Sequence, residues 1–184
     1  KLSNFLEGHL GLRWKDAGQK NATVGTEQSV WAYGVLHANT LAQFHAPRQQ
    51  KLDINPDRVY AGLDYKWSDP KILCNSVRKS RGLWRLAATM DRSGLYASQQ
   101  FIAFWPVVNL SEDDMLCFSA VLNSHFVNAY ISEISMDRRF RIRALEAAPV
   151  PRDFPRELPN LVREYEQKLG AFPRTSVQGA ELSK

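Results

Sequence analysis

The chain has 184 residues, of which 44% are hydrophobic and 11% aromatic. This is enough apolar material for one packed domain, and it excludes a chain that is disordered throughout. The net charge of +5 and the pI of about 9.3 favour an anionic partner. No apolar stretch approaches the ~20 residues of a membrane-spanning helix, so we expect a cytoplasmic protein without a membrane partner. The first residue is Lys1 rather than Met, and we therefore expect a fragment of a longer chain.

Cysteine and histidine usage favours neither a disulfide nor a metal centre. Cys74 and Cys117 are each flanked by apolar residues, which predicts two buried free thiols in a reducing compartment. None of the four histidines has metal-ligand spacing with a cysteine.

The first third of the chain predicts short strands joined by exposed connections. Residues 2–14 combine apolar positions with glycines, residues 30–36 form an apolar run, and residues 59–61 make a further short strand. Residues 37–58 have few apolar positions, which predicts a long exposed loop.

Residues 71–105 are the segment around which we expect the fold to be organised. An apolar strand begins at Lys71, a basic segment follows, and a second apolar run ends at Trp105. Because residues 91–94 offer a turn ending in Gly94, residues 83–105 are predicted to form a hairpin. Its second strand reads as buried on both faces.

The C-terminal part predicts two helices. Ser111 precedes three carboxylates, a typical capped helix start, and apolar spacing extends this helix to about residue 134. A second helix is predicted from Pro155 or Leu158 to Leu169. The expected fold is α+β, a twisted and mainly antiparallel sheet braced by one long buried helix and a C-terminal helix. The domain is expected over residues 1–170, with a flexible tail over 171–184.

Basic residues form clusters that contain aromatic side chains. One cluster surrounds Trp84, a second surrounds Phe140, and a smaller third flanks Trp14. Arginine neutralises phosphates and reads guanine edges, and aromatic rings stack on bases. Each cluster alone is more simply interpreted as a solvent-exposed face, and Trp84 and Phe140 could equally be core residues. The three clusters together favour a nucleic-acid partner. The basic residues of the two larger clusters are Arg78, Lys79, Arg81, Arg85, Arg138, Arg139, Arg141 and Arg143.

Catalytic patterns are mostly absent from the sequence. There is neither a phosphate-binding glycine loop nor a dinucleotide fingerprint. Asp57, Asp64 and Lys66 loosely match the two carboxylates and the lysine of metal-dependent nucleases. A turn followed by an exposed strand end is the simpler interpretation of these three residues.

Residues 69–151 resemble the target-recognition domain of N6-adenine DNA methyltransferases, the TaqI-like C-terminal specificity domain of restriction–modification enzymes. EGHLGLRWK at 7–15 resembles the start of such a domain, so the resemblance extends over about residues 2–170. The matching pieces are PKIL at 70–73, LAATMDRSGLYASQQFIAF at 86–104, LNSHFVNAYI at 122–131 and APVP at 148–151.

The resemblance implies a DNA-recognition module that is not an enzyme by itself. In the family this domain holds duplex DNA against a methyltransferase domain of the same longer chain, in type IIG or type I-like enzymes. Methyl transfer uses S-adenosylmethionine bound elsewhere, so we expect no catalytic residue, cofactor or metal in this chain. Because each member reads its own DNA sequence, the resemblance assigns regions, here 37–58 and 77–85, rather than base contacts.

The residues expected to contact DNA come from the clusters and from polar side chains near them. Gln99 and Gln100 are candidate adenine readers, although exposed strand residues would look the same. Asn123 and Ser124 are expected to make packing or capping hydrogen bonds. The alternatives are a protein-interaction module with a basic face and, less favoured, a Mg-dependent nuclease. The expected DNA contacts are Arg78, Lys79, Arg81, Trp84 and Arg85, then Arg13, Lys15 and Arg48, then Gln99 and Gln100.

Overall fold

The computed structural model describes residues 1–15, 22–45, 47–79, 84–134 and 137–171. Within these ranges, mostly antiparallel sheets pack against four helices, and the α+β class predicted from the sequence is confirmed. No helix in the described part of the chain is long and apolar enough to span a membrane.

The strands of the described ranges form three sheets. The strands are β1 Leu6–Leu10, β2 Arg13–Trp14, β3 Trp31–Val35, β4 Gln49–Asp53, β5 Val59–Ala61, β6 Lys71–Asn75, β7 Ala88–Asp91, β8 Tyr96–Ala97 and β9 Phe101–Pro106. The largest sheet is four-stranded and antiparallel with the order β1-β9-β6-β7, and the others are β4-β3-β8 and the pair β2-β5. Among these strand pairs of the described residues, only β3–β8 is parallel.

The four-stranded sheet has a hydrophobic core on each face. Side chains alternate along β6, so that Ile72 and Cys74 belong to the core that contains Leu116. Leu73, between them, belongs to a second core with Trp67. Because both faces are covered, all five residues of β6 are buried, and β9 is buried on both faces as predicted.

The predicted hairpin over residues 83–105 is wrong. Ile72 of β6 pairs with Met90 of β7 on one side and with Phe104 of β9 on the other, so β6 lies between the two strands. The turn after β7 leads instead to β8. Gly94 does adopt a positive φ of 75° in that turn. A doubly buried strand needs partners on both edges, and this tertiary requirement overrides the local turn signal.

The predicted long helix is divided into two at Asn123 and Ser124. The Ser124 hydroxyl accepts a hydrogen bond from Val127 N at 3.2 Å, which caps the second helix. The Ser111 capping box and the C-terminal helix are confirmed, and α3 was not predicted. The helices are α1 Glu112–Leu122, α2 His125–Ile134, α3 Ile142–Glu146 and α4 Leu158–Ala171.

The predicted exposed loop over 37–58 contains a strand, β4, which pairs antiparallel with β3. Its pattern of mostly polar residues carries little strand signal, because it is an edge strand with one exposed face. Both cysteines are free and buried, as predicted, and burial raises the pKa of each thiol. The predicted tail lies outside the described residues, apart from the end of α4.

Candidate nucleic-acid interface

One end of the four-stranded sheet collects the loops that carry most of the predicted site residues. Asn75 pairs with Phe101 and Cys74 pairs with Ala88, so β6 ends where β9 and β7 begin. Strand β1 also ends here. Because neighbouring strands are antiparallel, three segments leave the sheet from this one end: residues 11–15, 76–87 and 98–100.

Main-chain hydrogen bonds join the two larger basic clusters at this end. Val77 forms an antiparallel bridge with Arg139. Arg78 N donates to Arg138 O at 3.0 Å, and Phe140 N donates to Ser76 O at 2.9 Å. The two clusters were distinct in the sequence, and the structure brings them together. We call Arg78, Lys79, Arg85, Arg138 and Arg139 the basic surface.

Four residues of the basic surface make no ion pair within the described ranges: Arg78, Lys79, Arg138 and Arg139. Lys79, Arg138 and Arg139 are exposed, and Arg78 is half-buried. Desolvation lowers the pKa of Lys79. The two joined segments therefore carry cations that attract an anionic ligand.

Asn75 fixes the base of the loop between β6 and β7 from within the sheet. Its Oδ1 accepts a hydrogen bond from Ala87 N at 2.7 Å. Its Nδ2 donates to Val77 O at 2.7 Å and to Arg85 O at 2.8 Å. The buried Asn75 side chain therefore connects both ends of the loop, close to Arg78 and Arg85.

Two asparagines of the helical region hold the same loop from the other side. Asn128 Oδ1 accepts hydrogen bonds from Arg85 N and Leu86 N, both at 2.9 Å. Asn123 Oδ1 accepts from Ala88 N, and its Nδ2 donates to Ala88 O, both at 2.8 Å. The predicted packing role of Asn123 is confirmed. We call Asn75, Asn123 and Asn128 the asparagine clamp.

Two members of the asparagine clamp, Asn75 and Asn128, were not predicted from the sequence. The signal in the sequence was a polar residue within an apolar segment: Asn75 ends an apolar strand, and Asn128 lies on an apolar stretch of α2. Buried amides in such positions nearly always bond to main-chain groups. Which main-chain groups they reach depends on the tertiary packing.

The two aromatic residues of the larger clusters have different environments. Phe140 is a core residue, 6% exposed. Trp84 is 38% exposed, and its ring centroid lies 4.2 Å from that of His125 at the start of α2. Trp84 therefore adds an aromatic surface next to Arg85. Arg81 lies outside the described residues.

The two glutamines lie at the foot of the basic surface but differ in their side-chain contacts. Ser76 N donates to Gln100 O at 2.8 Å, and the Ser76 hydroxyl donates to Gln99 O at 2.8 Å. Gln100 Oε1 already accepts a hydrogen bond from Ala38 N at 3.0 Å, which competes with bidentate contact to a base. Gln99 makes no side-chain hydrogen bond within the described ranges, and it is the better placed of the two.

The three remaining predicted cations lie on two other segments. Arg13 and Lys15 lie on the segment 11–15 at this end of the sheet, and Arg13 follows Leu12, whose carbonyl accepts a hydrogen bond from Gln99 N at 2.9 Å. Arg48 N donates to Thr40 Oγ1 at 3.1 Å, on the segment that bonds to Gln100. Lys15 and Arg48 are exposed.

The nuclease pattern has no metal-binding arrangement around it in the described ranges. Asp57 and Asp64 are exposed and lie on either side of β5. Asp57 N donates to Asn55 Oδ1 at 2.7 Å, as in an ordinary turn. No group of three or more histidine, cysteine or acidic residues in the described part of the chain is arranged to hold a metal ion.

Comparison with known proteins places the chain in no family. No protein-family model matches the sequence, and no curated protein matches it.

Proposed function

We propose that this chain is a DNA target-recognition domain that binds double-stranded DNA through the basic surface. The bridge between Val77 and Arg139 is the observation that carries the proposal, because it unites two arginine clusters. Duplex DNA has a dense array of phosphates, and cations that neutralise them release bound counterions. Four cations on the two joined segments fit such a ligand better than a single small anion.

The asparagine clamp supports recognition as well as attraction. It fixes the main chain at Val77 and Arg85 through buried hydrogen bonds. A cationic loop that is held in one conformation loses less entropy when it binds, and it favours one register on the duplex. Gln99 and Trp84 are the neighbouring side chains available for base contact.

The proposal extends to the role of the domain in a longer protein. The segments that resemble the methyltransferase specificity domain include most of β6 and β9 and two members of the asparagine clamp, Asn123 and Asn128. We therefore infer a module of an N6-adenine DNA methyltransferase of a restriction–modification system. It positions duplex DNA for a catalytic domain that binds S-adenosylmethionine outside this chain.

Duplex binding tests the proposal through paired charge variants. Arg138→Ala with Arg139→Ala removes two exposed side chains while leaving the main-chain bridge intact. We expect at least about a tenfold weaker Kd for a pool of randomised fluorescent duplexes. The slope of log K against log salt should fall by about 2, at ~0.9 per phosphate contact. Fluorescence anisotropy at several salt concentrations measures both quantities.

A matched double variant controls for net charge. Lys66→Ala with Lys168→Ala removes two exposed cations elsewhere, Lys168 having only an exposed ion pair with Glu164. This variant should bind duplexes as the unaltered chain does. If removing Arg138 and Arg139 changes neither the affinity nor the salt slope, the site assignment is wrong. A flat salt dependence of the unaltered chain would favour the basic protein-interaction module instead.

A further inference from the structure

Strand β3 presents two aromatic side chains to solvent in its first three residues. Trp31 is 43% exposed and Tyr33 is 63% exposed. The two are separated by one residue, so they lie on the same face of the strand. The pairing of Tyr33 with Lys51 places a cation directly across from the second ring. We call Trp31, Tyr33 and Lys51 the aromatic face.

Packing around the aromatic face supports it and holds one of its rings. On the other side of the two strands, Leu52 belongs to the second core, and Gly34 is buried beside it. The Trp31 ring lies against Gly25, where an added Cβ would come within 3.0 Å of the ring carbon Cζ2. A fixed, exposed indole beside an exposed phenol makes an apolar platform with little conformational entropy to lose on binding.

The charge of the aromatic face favours an anionic partner. Lys51 is exposed, and the exposed Arg48 immediately precedes β4. The one carboxylate of the two strands, Asp53, is buried, and it accepts hydrogen bonds from Ser29 and Arg58. No exposed acidic side chain on β3 or β4 offsets the two cations.

We propose that the aromatic face binds single-stranded nucleic acid, with bases stacked on Trp31 and Tyr33 and phosphates near Lys51 and Arg48. Residues two apart on a strand are separated by about 6.5–7 Å, which suits rings that each receive one unpaired base. Duplex DNA hides its base faces within the stack, so this ligand differs from the duplex that the basic surface binds. The inference goes beyond the proposed function and does not depend on it.

The position of the aromatic face connects it to the end of the four-stranded sheet. Val35, the last residue of β3, accepts a hydrogen bond from Ser98 N at 3.0 Å. The segment after β3 bonds to Gln100 through Ala38. A nucleic-acid strand bound along β3 would therefore extend toward residues 98–100, which lie next to the basic surface.

Oligothymidine binding tests the inference, because thymidine strands form no duplex of their own. Tyr33→Ala should weaken binding of a fluorescent oligothymidine by about tenfold or more, since it removes one stacking ring. Tyr33→Phe keeps the ring and should bind as the unaltered chain does. Lys51→Ala should lower the slope of log K against log salt by about 0.7, the value of one phosphate contact in single strands.

A second exposed tyrosine provides the control. Tyr60 is 57% exposed on β5, outside the aromatic face, and Tyr60→Ala should leave oligothymidine affinity unchanged. Absence of oligothymidine binding by the unaltered chain, or equal binding by the Tyr33→Ala variant, overturns the inference. Removing Arg138 and Arg139 should weaken duplex binding far more than oligothymidine binding, so the two proposals fail independently.

Discussion

At the scale of single residues, Asn123 and Asn128 hold one loop by different chemistry. Asn128 presents only its oxygen to the loop, as an acceptor for Arg85 N and Leu86 N, and its Nδ2 donates to Ser124 O within the helix. Asn123 uses both amide atoms on Ala88. Replacing each asparagine by an aspartate of the same shape should therefore change the stability of the fold by different amounts.

We expect Asn123→Asp to destabilise the fold more than Asn128→Asp does, by about 1–3 kcal/mol. Each carboxylate would lose one donated hydrogen bond, to Ala88 O at position 123 and to Ser124 O at position 128. The one at position 128 would still accept from two loop N–H groups, whereas the one at position 123 would accept from one. Urea unfolding of the two variants measures the difference. Equal losses of unfolding free energy would contradict the donor–acceptor assignment.

Asp53 is the residue whose ionisation should matter most for acid stability. Burial alone would raise its pKa, but hydrogen bonds from Asn55 N, the Ser29 hydroxyl, Arg58 and Val30 N together lower it. A carboxyl group with a lowered folded-state pKa stabilises the fold above its unfolded value of about 4. That contribution is lost as the pH falls through the folded-state pKa.

Replacing Asp53 by asparagine should therefore reduce the loss of unfolding free energy at acid pH. We expect Asp53→Asn to be less stable near neutral pH and to lose less further stability below about pH 4 than the unaltered chain. Urea midpoints across this pH range make the comparison. Asp64→Asn, which removes an exposed carboxyl group, is the matched control. An unchanged loss of unfolding free energy at acid pH in the Asp53 variant would refute the assignment.

At the scale of elements, local sequence patterns predicted where strands and helices lie better than they predicted which strands pair with each other. The apolar run at β6 and the capping box at Ser111 were readable because burial and capping leave short-range patterns. The strands that pair with β6 could not be predicted, because strand pairing depends on tertiary packing and not on local sequence. The break before α2 was missed because Ser124 caps a helix inside a continuous apolar arc.

The candidate site was partly readable for a similar reason. Clusters of arginine are visible in the sequence, but the bridge between Val77 and Arg139 is a long-range contact with no sequence pattern of its own. The aromatic face was hidden because β4 carries mostly polar residues, so its pairing with Tyr33 was not foreseen.

At the scale of the whole molecule, the four-stranded sheet is shared by two cores. Ile72 belongs to the core beneath the helices and Leu73 to the core on the opposite face. Both side chains are fully buried. Because the two cores are divided only by one sheet, disruption of either removes packing from strands on which the other depends.

We therefore expect the described domain to unfold in one transition. Ile72→Ala and Leu73→Ala should each cost about 2–5 kcal/mol and move that same transition to lower temperature. Far-ultraviolet circular dichroism follows the helices, and near-ultraviolet dichroism follows Trp67 in the second core. Coincident curves are expected for all three proteins. Separate curves in either variant would mean that the two cores unfold independently.

The bridge between Val77 and Arg139 also has a consequence for when the basic surface is assembled. Arg78 is synthesised well before Arg138 and Arg139, with β9, α1 and α2 lying between them in the chain. A growing polypeptide thus carries one cluster for some time before its counterpart exists. The basic surface is complete only when the later segment has docked. Under the proposed function, full affinity for DNA would therefore arise only once the domain has folded.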